Sequence, residues 1–252
     1  MTGSRPTTEP SASAGGSSVS GAPALVGLAH GSRHADGTRS IEQLMRVVGA
    51  TGDVDARPAF LDLAEPDLLT VADRLVEAGH RQAIVVPLLF TVAFHATVDV
   101  PEAVREAADQ TGLDLVVADI LGTGADVQEL VATSMSGTGV PEDRDVLLYA
   151  VGSSNGAANE AVHDLAARLD RQRPGRVRAA FGTTDPRPAA VLPQLSEPVA
   201  VVPLFLSPGL LLEPVAAIAR ERGWTLAPPL GDLAAPLVLR RYASAWHAAG
   251  LR

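Results

Sequence analysis

Nearly all of this chain is written twice. Ala29-His30-Gly31-Ser32 matches Ala150-Val151-Gly152-Ser153, and Ala59-Phe60-Leu61-Asp62 matches Ala180-Phe181-Gly182-Thr183, both at an offset of 121 residues (150 minus 29, 180 minus 59). Val85-Val86-Pro87-Leu88 matches Val201-Val202-Pro203-Leu204 at an offset of 116 (201 minus 85), and Leu121-Gly122 matches Leu230-Gly231 at 109 (230 minus 121). The offset only shrinks, as deletions in a second copy would make it do. A repeat of this length in 252 residues calls for two similar lobes, each of ordinary domain size.

Within each copy, short apolar runs alternate with amphipathic stretches. Runs at 24–29, 54–61, 83–90 and 113–120 are followed in turn by periodic stretches at 37–50, 67–78, 100–110 and 124–136. The second half repeats this, with strands expected near 146–151, 176–181, 199–206 and 224–228 and helices near 156–170, 187–195, 212–222 and 234–248. Strands alternating with helices imply βαβ units, so each lobe should be a mainly parallel sheet flanked by helices. Residues 1–22, rich in Ser, Thr, Gly, Ala and Pro, read as a disordered tail and lack the features of a signal peptide. The lobes are expected at 23–137 and 138–252, with a hinge near Gly137–Arg144, where Gly, Pro and charge cluster.

Composition excludes several classes of function. No run approaches the eighteen or so apolar residues of a membrane-spanning helix, and the missing export signal makes a cytoplasmic location the expectation. It also disfavours a two-lobed solute-binding protein. A net charge of −9, with basic residues scattered, argues against nucleic-acid binding, which needs clustered Lys and Arg. Zero Cys removes thiolate metal sites, so any metal must be held by His and carboxylate. Neither a P-loop nor a Gly-x-Gly-x-x-Gly motif is present, and no organic cofactor is expected.

The repeat separates residues kept for the fold from residues kept for chemistry. In its register His30 faces Val151, Asp62 faces Thr183 and His95 faces Leu211. All three first-half residues follow strands, and parallel sheets place ligands beyond the carboxyl ends of their strands. Neighbouring strands lie about 4.8 Å apart, so these side chains can converge on one ion. Two imidazoles and a carboxylate suit Fe²⁺, Co²⁺, Ni²⁺ or Zn²⁺. The loop His30-Gly31-Ser32-Arg33-His34 also admits an anion-binding reading, because Gly lets the backbone approach a ligand ahead of a helix N-terminus. Gly31 and Ser32 persist as Gly152 and Ser153, which marks them as turn chemistry, whereas Arg33 and His34 become Ser154 and Asn155. Asp99, four residues after His95, is read either as a helix cap or as a partner fixing the imidazole tautomer. Glu65-Pro66 has the near match Asp185-Pro186 and is read as structural. His80, His163 and His247 are read as surface residues.

The run Leu28-Ala29-His30-Gly31-Ser32-Arg33, then Ala59-Phe60-Leu61-Asp62 with Glu65-Pro66, then Val85-Val86-Pro87-Leu88-Leu89-Phe90 leading to His95 and Asp99-Val100-Pro101, resembles the sirohydrochlorin chelatase family. The resemblance spans roughly residues 24–250. It implies two tandem chelatase-type, flavodoxin-like α/β lobes with an interlobe cleft for a tetrapyrrole, and insertion of Fe²⁺ or Co²⁺ into sirohydrochlorin in sirohaem or cobalamin synthesis. The metal is then a substrate. By the same resemblance His30 and His95 hold it and assist deprotonation of the macrocycle. The family often carries Glu where this chain has Asp62, one methylene shorter, so Asp62 is expected to bind the metal directly or to act through water. Arg33, with Ser32 beside it, is the candidate contact for substrate carboxylates. A nickel chelatase of a related pathway and a non-catalytic metal or tetrapyrrole carrier stand as the alternatives.

Overall fold

A computed structural model describes residues 22–92 and 98–250 of the chain. The first half folds as β1 (Ala24–Ala29), α1 (Ala35–Gly52), β2 (Ala56–Phe60), α2 (Leu68–Glu77), β3 (Gln82–Pro87), α3 (Val100–Thr111), β4 (Asp114–Val117) and α4 (Ala125–Gly137). The second half gives β5 (Val146–Ala150), α5 (Gly156–Asp170), β6 (Val177–Phe181), α6 (Pro188–Val191, continued as a 3₁₀ turn), β7 (Ala200–Pro203), α7 (Glu213–Glu221), β8 (Thr225–Leu226) and α8 (Ala235–Ala248). β1 is apolar and buried along its whole length, as a strand covered on both faces must be. Helix ends follow local chemistry. Asp67 accepts from the Thr70 N–H at 2.8 Å to start α2, and Gly112 takes a left-handed conformation, φ 71°, to end α3.

Each half forms one four-stranded, fully parallel sheet, in the orders β2-β1-β3-β4 and β6-β5-β7-β8. The repeat holds to the residue. Leu28 pairs with Ala59 across β1 and β2 while Tyr149 pairs with Ala180 across β5 and β6. Val26 pairs with Val85 across β1 and β3 while Leu147 pairs with Val201 across β5 and β7.

α2 and α3 cover the outer face of the first sheet through Leu68, Val71, Leu75 and Val104. α6 and α7 do the same for the second sheet through Val191, Val215 and Ala219. The inner faces share one core that runs through the molecule, from Leu25, Leu44 and Ile84 to Leu148, Leu165 and Val202. The last helix of each half enters that core on the far side: α8 packs on α1 and β3, and α4 on α5 and β7. The Tyr242 hydroxyl of α8 donates to the Pro23 carbonyl at 2.6 Å, just ahead of β1. Arg241 donates to the Ile120 and Leu121 carbonyls at 2.8 and 2.5 Å and to Asp126 at 2.7 Å.

The connector between the sheets runs from the end of α4 at Gly137 to the start of β5 at Val146 and is tied down. Arg173 donates to the carbonyls of Pro141, Glu142 and Arg144 at 2.6, 3.2 and 2.9 Å. Buried Asp145 accepts from the N–H groups of Arg176 and Ser196, both at 2.8 Å. Clustered Gly, Pro and charge mark a chain reversal, and packing from outside the segment decides whether it flexes. No helix among the described residues is long and apolar enough to cross a membrane.

Candidate functional site

Strand order decides where a ligand can sit. The chain leaves β1 for β2 on one side and returns to β3 on the other, so β1 and β3 form the switch point where crossover loops part and open a crevice. β5 and β7 form the same point in the second lobe. The two crevices face each other and merge into one cleft of about 720 Å³, bounded by the segments after β1, β3, β5 and β7. This is the expected interlobe cleft, and its volume lies in the range of small-molecule sites, roughly 300–1,000 Å³.

His30 follows β1 directly, is half-buried and lines this cleft. β1 lies between β2 and β3, so His30 is central among the three strand ends that the sequence singled out. Gly31 turns the chain with φ 98°, and a Cβ there would lie 1.8 Å from the Asp62 carbonyl oxygen. Only glycine accommodates both constraints. Gly152 repeats the conformation with φ 88°. Ser32 Oγ accepts from the His34 N–H at 3.1 Å, as Ser153 Oγ accepts from the Asn155 N–H at 3.0 Å. Ser32 thus braces the turn while also lining the cleft. Arg33 is exposed and is the one Lys or Arg among the described residues that line the cleft. His34 lies outside that lining; its buried Nδ1 makes no hydrogen bond among the described residues, and Asp36 stands 3.9 Å away.

Asp62 is placed differently from the histidine. Its backbone N–H donates to the His30 carbonyl at 3.0 Å, but its exposed carboxylate turns along its own chain and accepts from the Leu63 N–H at 2.7 Å. Leu63, held at φ 62°, lines the cleft in its place. His95 lies outside the described residues. Among those described, no three His, Asp or Glu side chains stand close enough together to hold a metal ion. Asp99 has helical backbone angles and its side chain does not cap α3, which sets aside the helix-cap reading. The first turn of α3 is started by Pro101 instead.

The remaining walls are apolar. Leu88, Phe90, Leu204, Phe205 and Leu206 line the interior. Also lining it are Leu63, Val151, Leu210 and Leu211, four of the large hydrophobic side chains left exposed, with Leu210 at 62%. Such a gathering of exposed apolar groups marks a ligand-binding face. Beneath it, Tyr149 stacks on Phe205 with ring centroids 5.8 Å apart and donates to the Leu211 carbonyl at 2.8 Å. Burial pushes the Tyr149 phenol up, so it stays protonated as a donor.

Two second-lobe residues were missed by sequence reasoning. Asn159 accepts from the Ser153 N–H at 2.9 Å and donates to the Ser153 carbonyl at 2.7 Å, fixing the loop after β5 where it lines the cleft. Asn155, seen earlier only as the residue opposite His34, donates to the carbonyl of Val92 in the other lobe at 3.0 Å. His80 corrects its surface reading. It is 9% exposed, and its Nε2 lies 3.1 Å from Asp55. The Arg57 guanidinium donates to both oxygens of Asp55 and holds that carboxyl below the usual range. This cluster sits at the amino ends of β2 and β3, on the edge of the sheet away from the cleft. His163 packs edge-on against Phe181 and is half-buried, whereas His247 is exposed.

Comparison with known proteins follows the same lines. A family model described as CbiX matches residues 24–138 and 145–237, leaving out the connector. The chain is 30% identical over 154 residues to a sirohydrochlorin ferrochelatase of Bacillus subtilis (strain 168), covering 60% of this chain and 59% of that protein. It is 26% identical over 150 residues to one of Priestia megaterium, covering 58% and 56%. The alignments thus span less than two thirds of these curated relatives. The solved structure of SirB from Bacillus subtilis with Fe³⁺ superposes with a TM-score of 0.77 at 24% identity, over 91% of this chain and 98% of that one, and shares its fold.

Proposed function

Since the chain belongs to the CbiX family, we propose that it inserts a divalent metal ion, Fe²⁺ or Co²⁺, into sirohydrochlorin within the interlobe cleft. The observation that carries this reading is the position of His30: at the switch point of the first sheet, in an apolar cleft, where the second sheet presents Val151. A flat macrocycle needs walls that contact its faces without competing for its nitrogens, and the apolar walls and rim supply them.

Insertion replaces two pyrrole protons by one metal ion, so the site must deliver the ion and accept two protons. Neutral imidazole does both, with an ordinary pKa of about 6.5. His30 binds the incoming ion through a ring nitrogen, and after the ion passes to the macrocycle the same nitrogen takes a pyrrole proton. His95 has the matching role in this proposal, by its place after β3 and its loss in the second half. Asp62 bonds the Leu63 N–H and contributes its charge from outside the coordination sphere, lowering the cost of bringing a cation into an apolar cleft. Arg33 pairs with a substrate carboxylate at the mouth.

Anaerobic incubation with sirohydrochlorin and, separately, Fe²⁺, Co²⁺ and Ni²⁺ tests the reading through the visible spectrum. Repeated turnover of the macrocycle with Fe²⁺ or Co²⁺ is expected. Stoichiometric binding without turnover would replace the enzyme by a carrier using the same cleft, and a rate confined to Ni²⁺ would change the metal.

A further inference from the structure

We propose that Leu63 is a binding residue for the macrocycle, held in a left-handed backbone conformation so that its side chain stands in the cleft. The proposal rests on the metal-insertion reading and names the first-lobe side chain that grips the tetrapyrrole.

Leu63 has φ 62°, and Asp53, at φ 49°, is the other non-glycine residue with positive φ among those described. Asp53 takes this conformation in closing α1, where a left-handed residue is common and a short polar side chain tolerates it. Leucine lacks that tolerance, because its Cβ crowds the following carbonyl oxygen. Strain of this kind persists where the surroundings impose it, and it gathers at ligand sites. Core packing does not offset it here. Leu61 packs against the outer core of the first sheet and Ala64 against the shared core, while Leu63 between them stays 39% exposed.

The conformation is imposed from both sides of the residue. The Asp62 carboxylate accepts from the Leu63 N–H at 2.7 Å, and the Asp62 N–H donates to the His30 carbonyl at 3.0 Å. A Cβ on Gly31 would lie 1.8 Å from the Asp62 carbonyl oxygen and 3.4 Å from the Ala64 nitrogen, so the segment rests against the turn that follows His30.

The second lobe starts alike and then departs. The Thr183 N–H donates to the Val151 carbonyl at 2.8 Å, as the Asp62 N–H does to His30. The Thr183 hydroxyl then returns to the same Val151 carbonyl at 2.8 Å, and Arg187 donates to the Gly182 and Thr183 carbonyls. Thr184, which matches Leu63 at the 121-residue offset of the repeat, has no positive φ and does not line the cleft. Among the described residues that line the cleft, the second lobe contributes three exposed large apolar side chains, Val151, Leu210 and Leu211, and the first lobe contributes Leu63 alone. A planar macrocycle covered from both lobes takes these groups out of water together.

Leu63→Gly, Leu63→Asn and Leu63→Met separate binding from folding. Gly and Asn adopt the left-handed backbone readily but remove the apolar contact, whereas Met keeps an apolar group. The probe is metal-free sirohydrochlorin, titrated into each protein and read from its visible absorption. Its dissociation constant is expected to rise about tenfold in the Gly and Asn variants and to stay within about threefold in the Met variant, on the scale of one apolar side chain left in water. The thermal midpoint of the Gly variant should match or exceed that of the unaltered chain. In Co²⁺ insertion, the KM for sirohydrochlorin should rise while kcat holds. Unchanged affinity in the Gly and Asn variants would overturn this role and leave the insertion reading standing. A clearly lowered midpoint in the Gly variant would also overturn it, by making Leu63 a packing residue. An unaltered chain that binds no sirohydrochlorin ends the insertion reading and this role with it.

Discussion

At the residue scale, Gly31 shows how the fold constrains the site. It stands between His30 and Ser32, its φ of 98° lies in the left-handed region, and the Asp62 carbonyl occupies the space a side chain would need. Gly31→Ala is expected to cost about 2–4 kcal/mol, the sum of a strained backbone and a clash with main chain. Urea unfolding measures it; a loss within 0.5 kcal/mol, roughly what a neutral surface change costs, would mean the turn is not held as described. The invariance of Gly-Ser between the halves already marked this turn as structural, and matched bonds from Ser32 and Ser153 bear it out. Asp62 was harder to read. Its difference from Thr183 pointed to chemistry, yet its carboxylate bonds the next N–H, a local alternative that short polar side chains always have.

Elements were legible wherever their signal is local. Period and the repeat placed the strands and helices, and the structure shows that the pairing of β1 with β2 is copied between β5 and β6. The exchange of α4 and α8 between the sheets was not legible, because an amphipathic helix declares that it has an apolar face and not which sheet covers it. The pairing of buried His80 with half-buried Asp55 was missed for a related reason: a residue after Gly79 looks like a loop, and its partner lies 25 positions away. The exchanged α8 is anchored by Arg241. Burial pushes Asp126 up, but the hydrogen bond and charge of Arg241 outweigh it, so the carboxyl sits below its usual value. A depressed carboxylate stabilises the fold above its unfolded pKa of about 3.9, and that contribution is lost as pH falls through the folded value. Arg241→Ala should therefore cost about 2–4 kcal/mol at neutral pH, by stranding Asp126 and two carbonyls, with the difference from the unaltered chain narrowing below about pH 4. Denaturation at pH 7 and at pH 3 checks both; an equal difference at the two values would place the stabilisation outside this ion pair.

At the scale of the molecule, duplication has left two sheets with matched topology and unmatched chemistry. The shared core and the exchanged helices join the lobes into one body, and the cleft between their switch points is fixed by that packing. In this account the first lobe supplies the groups that hold metal and take protons. The second lobe supplies apolar wall, the Tyr149 and Asn159 braces and the tether to Val92. The initial rate of Co²⁺ insertion into sirohydrochlorin by His30→Ala and His95→Ala, beside Leu211→Ala at the position that matches His95 in the sequence repeat, tests that division most directly. With thermal midpoints retained, each histidine variant should lose at least about 100-fold in rate, the usual contribution of a positioned acid–base group, while Leu211→Ala stays within a few-fold; histidine variants that keep their rates within a few-fold would contradict the account.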